Sequence, residues 1–68
     1  MISETEAVDR ASKEISRLLM TLQSYGADNA ALVDKARQSL IAAVMEWGGD
    51  EDFEQQVKKK VEANGWTV

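Results

Sequence analysis

Carboxylates, hydroxyls and amines are the groups this sequence offers for chemistry, because it contains neither histidine nor cysteine. Without imidazole no Ser-His-Asp triad can be assembled, and the commonest transition-metal ligand is missing. Without thiols there is no disulfide framework, no thiolate nucleophile and no zinc ribbon. The densest charged group is acidic and comprises Glu46, Asp50, Glu51, Asp52 and Glu54. Its Asp50-x-Asp52-x-Glu54 spacing matches the opening of a calcium loop. Such a loop also needs a glycine at its sixth position and a bidentate glutamate at its twelfth. Here those positions hold Gln55 and Val61, so the match fails. The cluster reads instead as a helix start, where acids offset the positive end of the macrodipole. It also suits an electronegative rim facing a basic partner.

The cations have similar competing readings. Lys58, Lys59 and Lys60 are consecutive, and consecutive helical residues point about 100° apart. They fan out instead of tracking a phosphate backbone. Lys60 falls nearest the apolar stripe of its helix, where its stem would be covered and its ammonium wet. Arg37 projects into the apolar sector beside Val33, Leu40, Ile41 and Val44. One expectation is a boundary arginine paired with a carboxylate such as Glu14. The other is an interface arginine, a residue type enriched at binding hot spots. No phosphate loop and no paired carboxylates on a cleft can be placed. We therefore expect neither catalysis nor a cofactor or metal.

The chain has 68 residues, room for one domain. Its hydrophobic fraction of 44% is too high for a disordered chain. A net charge of −4 opposes nonspecific attraction to nucleic acid or anionic lipid, so direct nucleic-acid binding is not expected. A helix-turn-helix around Gly48-Gly49 would place Glu51-Asp52-Phe53-Glu54 in the groove, the wrong charge. The longest apolar run, Leu40 to Met45, is far too short to span a bilayer. Met1-Ile2-Ser3-Glu4 has neither a basic nor an apolar leader character, which makes a cytoplasmic protein the expectation.

Three helices must position these groups, at about 4–25, 29–47 and 51–64. Ser3 with Glu6 forms a capping-box pattern. Val8, Ala11, Ile15, Leu18, Leu22 and Tyr25 then follow helical spacing, with Asp9, Arg10, Lys13, Ser16, Arg17 and Gln23 opposite, and Gly26 ends the helix. Asp28 caps a second helix whose main stripe is Val33, Ala36, Leu40, Val44 and Trp47. Its segment Leu40–Met45 is apolar nearly all round, which predicts a helix covered on several sides. Asp50 caps a third helix with the stripe Phe53, Val57 and Val61, closed by Asn64-Gly65. Gly65 would be the left-handed C′ residue, bringing Trp66 back against Val61. Tyr25, Trp47 and Trp66 lie near helix ends, where large rings usually plug cores. Nothing alternates as a strand would. The expected fold is all-α: one domain over 1–68, an antiparallel helical hairpin plus a shorter third helix, resembling a three-helix bundle.

Trp47-Gly48-Gly49 fits the W-x-G turn and resembles the small helical-hairpin proteins exported by type VII secretion systems. The resemblance covers three residues and implies two long helices joined at that turn. This sequence departs from the pattern, since its first helix ends at Gly26 and a short third helix follows.

Apolar residues exceed what three short helices need. Leu19 and Met20 extend beyond the first stripe, and Ile41 and Met45 beyond the second. Either Trp66 and Phe53 cover them, or they form a surface for self-association or a partner helix. The functional expectation is a small acidic protein–protein interaction module, an adaptor or an inhibitor of a larger protein or complex. Leu19, Met20, Arg37, Ile41 and Met45 would anchor it, and Asp50, Glu51, Asp52 and Glu54 would steer a basic partner. Small acidic chains of this kind suit bacteria and their phages, an analogy from size alone. The alternatives are a homo-oligomeric assembly protein and a helical nucleic-acid-binding regulator.

Overall fold

A computed structural model describes all of residues 1–68 and contains three helices and no strand. They are α1 (Glu4–Ser24), α2 (Asn29–Glu46) and α3 (Glu51–Ala63). Each pair of helices is in contact, giving an all-α three-helix bundle-like packing 36 Å long and 18 Å and 16 Å across.

Local signals set the helix ends. Ser3 accepts a hydrogen bond from the Glu6 N–H at 3.2 Å and Asp28 from the Ala31 N–H at 2.8 Å. Asp50 accepts from two, Asp52 at 2.8 Å and Phe53 at 3.4 Å. These side chains satisfy N–H groups that have no partner inside the helix. All three C-termini close in the same way. The N–H groups of Ala27, Gly49 and Trp66 donate to the carbonyls of Leu22, Val44 and Val61, five residues back. Those of Gly26, Gly48 and Gly65 donate to Gln23, Met45 and Glu62. This is the Schellman arrangement, and its C′ residue is left-handed. At Gly65, where φ is +95°, a Cβ would be strained by its own backbone. The closure turns Trp66 onto the core beside Val61, as its spacing from Gly65 predicts.

The core consists of Ala7, Val8, Ile15, Leu19, Leu32, Ala36, Leu40, Phe53, Val57 and Val61. The α3 stripe is as expected. In α1 the buried arc is rotated from the expected one, because α3 packs on a flank that hydrophobicity alone assigns to solvent. Ser12 and Ser16 are buried there. Ser12 donates to the Asp9 carbonyl of its own helix at 2.9 Å, and Ser16 accepts from the Asn64 side-chain amide at 2.9 Å. Small hydroxyl residues with satisfied oxygens let two helices approach closely. Tyr25, by contrast, is exposed at the helix end and plugs nothing.

The greatest departure concerns α2. It is not covered on several sides: six residues of α1 are buried, and only Leu32, Ala36 and Leu40 of α2. Two helices of a three-helix bundle can cover only one arc of the third. The long α1 contributes the most buried residues, and the rest of the apolar α2 stays outside.

Candidate functional site

Each apolar residue expected to overflow has a definite place. Leu19 is a correction: it is fully buried, facing the core between the two partners of α1, and is no part of a surface. Met20 is exposed, but it lies four residues after Ser16, on the α1 flank beside α3. Ile41 and Met45 are 55% and 73% exposed on α2, and neither Trp66 nor Phe53 covers them. The four residues therefore do not make one patch. Ile41 and Met45 remain together, one turn apart, and Ala42 beside them is exposed as well.

Beside Ile41 runs an open groove between α2 and α3 of about 320 Å³. Leu40, Ile41 and Val68 supply its apolar lining, and Arg37, Glu54, Gln55 and Lys58 its polar one. The stack of Trp47 on Phe53, with ring centroids 5.3 Å apart, fixes the level of the two helices at the corner that joins them. Glu54 follows Phe53 and so stands at the corner end of the groove. Arg37 lies ten residues before Trp47, about 15 Å towards the other end.

Arg37 does not pair with Glu14. Glu14 lines the crevices between α1 and α2 with Ala43 and Glu46, on another side of α2. The ion pairs present both involve Asp9, with Lys13 at 3.0 Å and with Lys60 at 3.5 Å. Lys60 thus reaches across to α1 instead of lying over its own stripe. The hydrogen bond from Lys13, with the charges of Lys13 and Lys60, holds the Asp9 carboxyl below its ordinary value of 3.8. Arg37, Lys35, Glu46 and Glu54 make no ion pair within the chain.

The acidic group divides too. Asp50 is occupied as the α3 cap, and Glu51 and Asp52 are exposed in the first turn. Glu51 is three residues before Glu54 and begins the same edge, whereas Asp52 is turned away from it. Glu46 borders the α1–α2 crevices. No three carboxylates converge as metal ligands would. A concavity of about 440 Å³ is lined by charged side chains of α1 alone. No helix is long and apolar enough to cross a membrane.

Of the expected site residues, the groove brings together Arg37, Ile41 and Glu54, with Met45 one turn from Ile41 and Glu51 at the margin. The fold separates Leu19, Met20, Asp50 and Asp52 from them. Lys58 and Val68 belong to the groove and were not legible as site residues. Lys58 shares an edge with Glu54, four residues apart, and that spacing was the available signal. Compared with known protein families, curated proteins and solved structures, the chain matches none.

Proposed function

We propose that this protein is a protein–protein interaction module acting through the outer face of α2 and the adjoining α2–α3 groove. The observation that carries the reading is the exposure of Ile41 and Met45 on a helix whose apolar residues are not confined to one side. A helix of that composition is stabilised by cover, and within this chain only one arc receives it. Large side chains left in water one turn apart form a patch of the kind that anchors a partner, with polar groups at its margin.

Such a module works without chemistry of its own. It blocks a surface or bridges two proteins, as an inhibitor or an adaptor does. Glu51 and Glu54 form an acidic border that would speed encounter with a basic partner and lose effect at high salt. A cytoplasmic setting is part of the proposal.

The test is a comparison of two baits, the wild-type protein and Ile41→Asp/Met45→Asp, in extract of the source organism. A protein retained by the first and lost from the second supports the reading, provided both baits have the same helical circular dichroism. Identical retention by both would refute it.

A further inference from the structure

The exposed apolar pair Ile41 and Met45 shares its face of α2 with Asp34 and Gln38, which bond each other at 3.0 Å, and the unpaired charges lie at the two edges. Lys35 and Glu46 are eleven residues apart on α2. Eleven residues make about three turns, so the two share one edge of the helix, roughly 16 Å apart along its axis. That edge adjoins α1, because Glu46 lines the α1–α2 crevices. On the opposite edge, adjoining α3, Arg37 and Glu54 stand at the two ends of the groove. At their ends both edges have the same order, a base towards the start of α2 and an acid towards its end, and on the α3 side Lys58 lies between the two. None of the four groups is paired within the chain.

We propose that the occupant of this face is a second copy of the chain, with the two α2 helices antiparallel and crossing at Ile41. The inference rests on the docking role of α2 proposed above and names its partner. An isologous interface must be complementary to itself, each residue facing the one at the mirrored level of its partner. A two-fold axis level with Leu40 and Ile41 meets that condition for Lys35 with Glu46 and for Arg37 with Glu54. Lys35 comes opposite the partner's Glu46, and Arg37 opposite the corner end of the partner's groove, where Glu54 stands. The arrangement repeats in the other direction, so four ion pairs form from residues unpaired in the monomer. Ile41 packs at the centre, and Met45 covers the stretch of the partner's α2 near Ala36 and Arg37. A parallel pairing would oppose like charges on these edges, so the same residues select the orientation. Glu51 and Asp52 lie beyond the overlap and remain free at the two ends of the dimer.

The experiment is sedimentation equilibrium of the purified full chain from micromolar to millimolar concentration. The wild-type mass should rise from 7.5 kDa towards twice that value. Ile41→Asp should remain monomeric at concentrations where the wild type is dimeric, with unchanged circular dichroism. Lys35→Glu and Glu46→Lys should each be weakened at least tenfold alone, through like charges facing across the axis. Mixed together, the two variants should recover wild-type association, because each supplies the charge that the other needs. A wild-type chain that stays at 7.5 kDa throughout overturns the second copy alone, since the bait comparison judges the docking role separately. A dimer indifferent to Ile41→Asp overturns the inference as well, and one that the mixed variants do not restore overturns the antiparallel arrangement.

Discussion

Leu19 and Met20 are sequence neighbours of nearly equal size, yet one is sealed in the core and the other is 59% exposed. Their substitutions should differ accordingly. Leu19→Ala should cost about 2–5 kcal/mol, since it removes packed atoms from a core with no slack. Met20→Ala should stay within about 0.5 kcal/mol of wild type. Urea titration of both variants checks the pair, and equal losses would contradict the burial assigned here. Hydropathy could not separate the two residues, because the buried flank of α1 is written partly in serine. Ser12 and Ser16 look like surface residues until Asn64 of the neighbouring helix end is seen to bond one of them.

Asp9 gives a second test on single residues. Its carboxyl is held below 3.8, chiefly by the Lys13 hydrogen bond and then by the charges of Lys13 and Lys60. A carboxylate with a depressed folded pKa stabilises the fold fully above its unfolded value, and that share disappears as pH falls through the folded value. Asp9→Asn should therefore melt below wild type at neutral pH, and the gap should close as the pH falls through the folded value of Asp9. A gap that persists into acid would mean that Asp9 acts through packing instead of charge.

Element boundaries were the most legible feature, because they are written in caps and glycines that act locally. Ser3, Asp28 and Asp50 each start a helix, and each helix ends on a glycine-centred closure. Asp50 satisfies two N–H groups, so Asp50→Ala should cost about 1 kcal/mol, and Asp50→Ser should recover much of it. Gly65→Ala should cost a further roughly 1–2 kcal/mol, because φ at that position is +95°. Near-ultraviolet circular dichroism of Trp66 should weaken with it, as the closure that seats the ring loosens. What sequence could not supply was how far each helix would be covered. The apolar run Leu40–Met45 predicts a central helix, but cover depends on how many neighbours the chain can supply. Here there are two, and together they cover one arc of α2.

At the scale of the whole molecule, ten core residues carry the fold, with no disulfide to reinforce them. A core of this size leaves only a few kcal/mol of stability, so the proposed role of the exposed apolar residues of α2 must be separable from folding. Met45 is the clearest case. Met45→Asp should leave the urea stability of the monomer within about 0.5 kcal/mol of wild type, because its side chain is 73% exposed there. Its loss should appear in binding alone. The candidate site was legible as residue types, Arg37, Ile41, Met45 and Glu54, but not as a place. Only the α2–α3 packing shows that these four adjoin while Leu19, Met20 and Asp50 are engaged elsewhere. The most direct measurement is photo-cross-linking in the source organism, with a benzophenone side chain at position 45 and, as control, at exposed Lys59 on α3. The expected result is a discrete adduct from position 45 that Ile41→Asp abolishes and position 59 does not give. No adduct at position 45, or the same adduct from both positions, would contradict an interaction surface on the outer face of α2.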